Sequence, residues 1–365
     1  MKDTIRSRPA ILAAVLILSL ATTAGCRFVL PPSTVLPIAP PTEPGIAELA
    51  EPGMQLLYVS HRGELVLANI GSPPPLAESK TVVLRQGVGL RYTSAAWSPD
   101  GEQLAFTRQV TTPQRDLLDI LALETRTGKT SAVTTDWHVF GYGRIHWLPG
   151  GEHILLEEGT GPSRGLTLFS VGGAAPLETG AYIWYAWSPD GKQIALCSPR
   201  RSDPPMPWGD GETGDVVLWT VATGETITLL QGTPDYLYFP QAWTAPSSLL
   251  VGRLSPGQAA EYFECDPTDP AAPLRPLAGL PRHLSRDAIL DLIPVDLHEP
   301  FVRTGQFAWA ADLSYVALIL FRQFESAELW VFSADGADAR LVADDARGGR
   351  PLWRPGRDHL NAIGQ

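Results

Sequence analysis

Carboxylate and imidazole side chains are the first candidates for chemistry in this sequence, and their spacing argues against catalysis. Glu157 and Glu158 are adjacent, but neighbouring residues on a strand point to opposite faces, so they cannot act as a carboxylate pair. The seven histidines stand singly, without a His-Glu-x-x-His motif. The sequence also lacks a nucleophile elbow and a phosphate-binding loop. We therefore predict no catalytic residues and no cofactor.

Metal and disulfide chemistry are equally weakly supported. The acidic residues Asp210, Glu212 and Asp215 are the best candidates for Ca²⁺ ligands, but they lack the alternating spacing of a dedicated calcium loop. A solvated turn is the simpler interpretation, and we predict no metal site. Cys197 and Cys265 could pair in an oxidising compartment. They fall in different repeat units, which favours two small buried hydrophobic residues instead.

Cys26 is the residue with the clearest predicted chemistry. Lysine and arginine near the N-terminus precede an apolar run over residues 10–21, which is too short for a comfortable membrane span. The run ends in Thr23-Ala24-Gly25-Cys26, which resembles the bacterial lipobox, although that motif prefers Leu where Thr23 stands. The resemblance implies that Cys26 is diacylated and becomes the mature N-terminus. The alternative is an ordinary secretory signal with a chance cysteine.

Three segments follow from this pattern. Residues 1–25 form a lipoprotein signal peptide, residues 26–53 a lipidated, proline-rich stalk, and residues 54–365 one folded domain. We expect an exported protein, lipid-anchored to the outer face of the cytoplasmic membrane or located in the periplasm or outer membrane. The net charge of −11 argues against a nucleic-acid partner, because such proteins carry basic surfaces.

The folded domain is internally repetitive. Two copies of a Trp-Ser-Pro-Asp-Gly turn are clear, and four degenerate copies also begin at a tryptophan, at intervals of 50, 40, 56, 66 and 44 residues. These intervals have the size of a propeller blade. The fold-defining residues are Trp97, Pro99, Asp100, Gly101, Trp147, Trp187, Pro189, Asp190, Gly191, Trp243, Trp309 and Trp353.

Each motif predicts a hairpin between two short strands. Proline presets the first corner, aspartate bonds its own backbone and glycine takes a positive φ. Two more strands follow in each unit, which gives an all-β fold. We predict a six-bladed β-propeller of four-stranded antiparallel blades, with the last blade closed by both chain ends. One strand near the termini is surplus in this count, so a seven-bladed ring is the alternative.

The repeats resemble those of TolB-like propellers, which carry a Trp-Ser-Pro-Asp-Gly signature after the innermost strand. The resemblance covers residues 55–365 and implies a non-catalytic module that binds other proteins through the mouth of the propeller. It implies no enzyme and no small cofactor.

The predicted mouth lies at the end opposite the repeated turns. Loops between second and third strands open there, as do the connections between blades, and the two longest are residues 199–214 and 278–302, the latter with a short helix capped by Ser285. Tyrosines five residues before the motif tryptophan are expected at the same end, with other residues along the channel. The candidate partner-binding residues are Tyr92, Tyr142, Arg144, Tyr182, Trp184, Trp208, Tyr238 and Arg350. The alternative is that these tyrosines only fill the taper between strands.

Two functions fit these features. The first is a monomeric, membrane-anchored interaction module for an envelope or extracellular protein, in which we include an assembly role. The second is a propeller that binds or hydrolyses an extracellular sugar or peptide at its channel mouth. The second requires carboxylates or a metal to converge there.

Overall fold

The computed structural model describes residues 54–70, 79–85, 90–111, 116–138, 142–159, 164–173, 175–182, 184–201, 212–293, 301–310, 312–322, 327–347 and 350–355. The predicted signal peptide, Cys26 and the stalk lie outside these residues. Within them, no helix has the length and apolar character needed to span a membrane.

The described strands form six sheets of four strands, and each sheet is one blade. The chain begins with β1 (Gln55–Val59), β2 (Leu65–Asn69) and β3 (Ser79–Leu84). Blade 1 is β4 (Leu90–Trp97), β5 (Gln103–Thr111), β6 (Asp116–Glu124) and β7 (Thr130–His138). Blade 2 is β8 (Tyr142–Trp147), β9 (His153–Gly159), β10 (Arg164–Ser170) and β11 (Leu177–Tyr182). Blade 3 is β12 (Tyr185–Trp187), β13 (Gln193–Arg201), β14 (Glu212–Thr220) and β15 (Thr226–Leu230).

The second half of the chain continues the pattern. Blade 4 is β16 (Leu237–Ala245), β17 (Ser248–Leu254), β18 (Glu261–Cys265) and β19 (Arg275–Leu277). A helix, α1 (Arg286–Leu290), comes before blade 5. Blade 5 is β20 (Phe301–Trp309), β21 (Tyr315–Arg322), β22 (Ala327–Ser333) and β23 (Ala339–Ala346). The last described strand is β24 (Leu352–Trp353).

Both chain ends build blade 6, as predicted. Its strand order is β24-β1-β2-β3, and Leu56 and Leu57 of β1 pair with Trp353 and Leu352 of β24. The second strand of this blade therefore comes from the N-terminal side of the chain. This answers which of the two candidate segments provides that strand. The six-bladed fold is confirmed, and the described sheets do not form the alternative seventh blade.

Alternating residues on the strands fill the spaces between blades. In β5, Leu104 and Phe106 belong to the core shared by blades 6 and 1, whereas Ala105 faces the core shared by blades 1 and 2. Successive strand residues point to opposite faces. In blades 1, 2, 3 and 6, both faces pack against neighbouring blades. This arrangement explains why the strands are apolar on both sides.

The repeated turn has the predicted conformation. Asp100 accepts hydrogen bonds from the Ser98 hydroxyl (2.6 Å) and the Glu102 backbone N–H (2.9 Å). The Gln103 N–H donates to Ser98 Oγ at 2.8 Å, and Gly101 has a φ of 69°. The copy at Ser188 and Asp190 repeats each of these contacts. The motif therefore closes its turn with its own serine and aspartate side chains.

Two of the motif tryptophans also join neighbouring blades. Trp243 donates its indole N–H to the Ala186 carbonyl oxygen of blade 3 at 3.1 Å. Trp353 makes the corresponding bond to Ala308 of blade 5 at 2.8 Å. In both cases the acceptor carbonyl belongs to the residue just before the motif tryptophan of the neighbouring blade. The same position of the repeat therefore links the two blades in each pair.

The predicted helix is confirmed, but its surroundings differ from the expected mouth loop. Ser285 caps α1, with its hydroxyl accepting from the Ala288 N–H at 3.3 Å. Ile289, Leu292 and Ile293 pack into the core of blade 5. A Cβ atom on Gly336, in the hairpin at the end opposite the mouth, would lie 3.7 Å from Leu292. Residues 278–302 were expected to form a mouth loop. For the helix and the residues that follow it this expectation is wrong, because the apolar face of the helix covers the side of blade 5.

Candidate functional site

The strand registers identify the mouth. In blade 4, Leu237 at the start of the inner strand pairs with Leu254, whereas Ala245 near the turn pairs with Ser248. The connection from blade 3 and the loop at residues 255–260 therefore lie at one end, and the repeated turn lies at the other. The predicted polarity of the propeller is the one observed.

Two of the predicted mouth tyrosines are instead packed between blades. Tyr92 is 2% exposed and makes an edge contact with Phe106, with ring centroids 5.5 Å apart. Tyr238 is 7% exposed in the core between blades 3 and 4. Burial raises the pKa of both phenols. The expectation that these rings offer surface to a partner is therefore corrected to a packing role.

A third tyrosine belongs to a different strand from the expected one. Tyr182 ends β11, the outer strand of blade 2, while the inner strand of blade 3 begins at Tyr185. Its ring is half-buried against the core between blades 2 and 3. Tyr142 does begin an inner strand, but its side chain lies outside the described residues, as do Trp208 and the acidic loop at Asp210.

Among the predicted mouth residues whose side chains the structure describes, Trp184 is the most exposed, at 38%. Its ring lies 5.1 Å from that of Phe239, at a tilt of 37°. Phe239 in turn makes an edge contact with Tyr262 at 6.5 Å and lies over Gly252, where a Cβ atom would collide with the ring. Glycine at this position allows the aromatic row to form across blades 3 and 4.

Arg253 stands on the other face of blade 4 at the same end. Its guanidinium carbon is 5.3 Å from the centre of the Tyr236 ring and 5.0 Å from that of Phe263. Its Nε donates to Glu261 at 2.9 Å. We call Trp184, Tyr236, Phe239, Arg253 and Tyr262 the blade 4 rim. Tyrosine, tryptophan and arginine are the residues most enriched at protein interfaces.

Four of the five rim residues were missed in the sequence. The counting rule looked five residues before each tryptophan, and so selected Tyr238 instead of its neighbours Tyr236 and Phe239. Arg253 and Tyr262 lie on the second and third strands, which the rule did not consider. One signal in the sequence could have identified them. Aromatic residues stand close to both connections at the mouth end of blade 4.

Arg144 and Arg350 line a cavity of about 60 Å³ at the inner strands of blades 1, 2, 5 and 6. Both side chains are half-buried. Thr93, Ser94, His146 and Gln306 supply the other polar side chains of the wall. The Ser94 hydroxyl accepts the Ile145 backbone N–H at 3.1 Å, which joins two inner strands beside the cavity.

A hydrogen-bonded trio includes His146 of the cavity wall. The Tyr185 hydroxyl donates to Glu157 at 2.8 Å and lies 2.9 Å from His146 Nε2. Glu157 is 4% exposed, and its carboxylate is 3.5 Å from His146. Glu158 has a different environment, where burial, the largest effect, raises its pKa. The two glutamates are thus separated, as the strand geometry requires.

Metal and thiol chemistry can be assessed for the described residues. Over these stretches, no group of three or more His, Cys, Asp or Glu side chains is arranged to hold a metal ion. Cys197 and Cys265 are both buried, and both are thiols and not disulfide partners. The Cys197 thiol donates to the Tyr238 carbonyl at 3.3 Å, which matches the interpretation of the cysteines as packing residues.

No protein-family model and no curated protein matches this chain. Similar solved structures include TolB from Acinetobacter baumannii, which is 14% identical with a TM-score of 0.46, covering 82% of this chain and 66% of TolB. The propeller domain of the Trilobed protease from Pyrococcus furiosus is 14% identical with a TM-score of 0.41, covering 78% of this chain and 77% of that domain. A prolyl endopeptidase is 14% identical with a TM-score of 0.41, covering 82% of this chain but 45% of the endopeptidase. The six-bladed propeller fold is confirmed by the six four-stranded sheets of the chain itself.

Proposed function

We propose that this chain is a membrane-anchored, extracytoplasmic propeller that binds another protein through the blade 4 rim. The observation that carries the proposal is the exposed Trp184 ring beside Phe239 and Tyr262, with Arg253 on the other face of the same blade. A large aromatic ring in a supported setting buries much area on binding at a small cost in side-chain entropy. The partner is an envelope or extracellular protein.

Substitution of Trp184 tests the binding surface. Cells that express wild-type protein or Trp184→Ala are treated with a membrane-permeant crosslinker, and the adducts of the chain are compared. We expect Trp184→Ala to lose the main adduct, because truncating an interface tryptophan commonly costs about 2 kcal/mol or more.

Ile227→Ala is the matched control, because Ile227 is also a large exposed apolar residue, at 53%, but lies on an outer strand. It should leave the adducts unchanged. An unaltered adduct pattern in Trp184→Ala would place the binding surface elsewhere.

The membrane anchor of this proposal is the lipid on Cys26. The motif that ends at Cys26 supports it, as does the proline-rich stalk that follows. Two acyl chains give stable attachment, at about 0.8 kcal/mol per buried methylene. Cys26→Ser should release the domain from the membrane fraction or leave an unprocessed precursor. A mature, membrane-bound Cys26→Ser protein would refute the anchor without bearing on the blade 4 rim.

A hydrolytic propeller is the second candidate, and one observation favours it. His146, Tyr185 and the buried Glu157 form a connected acid–base group, of which His146 lines the cavity. Hydrolysis of nitrophenyl glycosides or peptide nitroanilides by the purified chain would support this function. The activity should then disappear in Glu157→Gln and persist in Glu158→Gln, since Glu158 faces away from the trio.

A further inference from the structure

The cavity between the inner strands has a wall of unusual charge for this protein. Its lining includes Arg144, Arg350 and His146 and, among the described residues, no aspartate or glutamate. The Glu157 carboxylate lies outside the lining, 3.5 Å from His146. The chain as a whole carries a net charge of −11. A positive pocket inside an acidic protein attracts anions locally, because the low-dielectric walls concentrate the field of the two guanidinium groups.

The two arginines oppose each other electrostatically. Burial lowers the pKa of Arg350, Tyr185 acts in the opposite direction, and Arg144 lowers it further. Two like charges that share a confined site are stabilised by an anion placed between them. Arginine also presents its N–H donors as a planar fork, which matches the two oxygens of a carboxylate.

The remaining wall indicates which kind of anion fits. Leu57, Ile145 and Leu352 line the cavity together with the polar groups. An inorganic ion would lose its hydration shell against such a surface without gaining donors there. A carboxylate on an organic chain can direct its oxygens to the arginines and its carbon atoms to the apolar side.

Size and rigidity agree with a small group. A volume of about 60 Å³ is room for about four water molecules, or for a carboxylate in their place. The neighbouring polar side chains are fixed: the hydroxyl oxygens of Thr93 and Thr107 lie 2.8 Å apart. Both arginines are half-buried, so they remain reachable from solvent.

We propose that this cavity is a carboxylate-binding site in which Arg144 and Arg350 bind the two oxygens of the ligand. The carboxylate belongs either to a free organic acid or to an acidic peptide that enters the channel. The site is distinct from the blade 4 rim, so each can fail experimentally while the other stands.

Calorimetric titration of the purified full-length chain tests the site, with succinate, a triglutamate peptide and inorganic phosphate as separate probes. We expect one binding event with succinate or with the peptide, and the probe that binds identifies the source of the carboxylate. Arg144→Gln and Arg350→Gln should each weaken binding by about tenfold or more, since each removes charge-assisted hydrogen bonds.

Arg62→Gln is the control, because Arg62 is an exposed arginine in the loop between β1 and β2, outside the cavity lining. Its affinity should stay within about twofold of wild type. Thermal unfolding verifies that each variant is folded. If Arg350→Gln does not fold, Arg350→Lys replaces it, and the loss of the planar fork should still weaken binding.

Three results would overturn the proposal. One is that neither succinate nor the triglutamate peptide binds at about 10 mM. Another is equal affinity in wild type and Arg144→Gln. The third is tighter binding of phosphate than of both carboxylates, which would assign the pocket to an inorganic anion instead.

Discussion

Leu313 occupies the position of the motif glycine in the turn of blade 5. Among the residues that the structure describes, it is the only one other than glycine with a positive φ, at 58°. The aligned positions in blades 1 and 3 are Gly101 and Gly191, with φ values of 69° and 68°. A side chain in this region strains the backbone by about 1–2 kcal/mol.

Leu313→Gly should therefore stabilise the protein. We expect the free energy of unfolding to rise by about 1 kcal/mol, because relief of strain exceeds the added flexibility of glycine in the unfolded chain. Urea denaturation followed by tryptophan fluorescence measures the change. Leu313→Ala keeps the strain and is the control, so an equal gain in that variant would contradict the explanation.

Cys265 links stability to alkaline pH. Burial, the larger effect, and the Asp266 carboxylate raise its pKa from 9.0 to about 11. The folded state therefore keeps the thiol proton at a pH where the unfolded state has lost it, and stability should fall as pH rises from 9 to 11. Denaturation series across this range should show a shallower decline in Cys265→Ala than in wild type. Parallel declines would assign the effect to the buried tyrosines instead.

At the scale of elements, the turns were predictable and the tyrosines were not. The Ser-x-Asp-Gly turn is local, because each of its hydrogen bonds is made within six residues. Counting back five residues from the tryptophan fails because the inner strands contain register shifts, between Tyr92 and Ala95 in β4 and between Pro240 and Ala242 in β16. Each bulge adds one residue to the strand. Residues before the bulge therefore point to the opposite face of the blade from the one that simple counting predicts. The sequence does not mark where such bulges lie.

Neighbouring turns also contact each other, which the repeat alone does not predict. A Cβ atom on Gly191 would lie 2.5 Å from the Gly150 backbone nitrogen in the turn of blade 2. Gly151 has a similar φ of 79°, but a Cβ atom there would have no neighbour within 4 Å.

Gly191→Ala should consequently destabilise the protein more than Gly151→Ala. Both variants introduce strain of about 1 kcal/mol, and Gly191→Ala adds a collision with fixed backbone that we expect to cost about 2 kcal/mol more. The difference between their unfolding free energies isolates the contact between turns. Equal values would mean that the turns separate without cost.

The helix α1 is the element whose packing the sequence left open. Its cap was readable from Ser285, but the destination of its apolar face depends on blade 5, where Ile289 packs in one cluster with Val316, Leu318 and Phe332. Ile289→Ala should lower the unfolding free energy by about 2–4 kcal/mol, since the side chain is 1% exposed. Asp291→Ala, at an exposed position next to the helix, should change it by less than about 0.5 kcal/mol.

On the scale of the whole molecule, ring closure depends on residues far apart in sequence. The predicted pairing of the two chain ends follows from simple counting, since an incomplete last unit and surplus N-terminal strands complete one blade. The side chain that reinforces this closure was not predicted. Arg354 donates to Gln55 Oε1 at 2.9 Å and to the Gly101 carbonyl at 3.1 Å. Its guanidinium carbon also lies 5.3 Å from the centre of the Trp97 ring.

Arg354 thus joins both strands of the closure in blade 6 to the first turn of blade 1. Arg354→Ala should lower the unfolding free energy by about 2–3 kcal/mol, because it removes two hydrogen bonds and a cation–π contact in a partly buried setting. Arg340 provides the comparison: it pairs with Asp338 at 2.8 Å on an outer strand, and Arg340→Ala should cost less than about 1 kcal/mol. If the ring unfolds as one unit, fluorescence and circular dichroism will give coincident transitions for Arg354→Ala. An early transition confined to one probe would show that blade 6 opens while the other five blades stay folded.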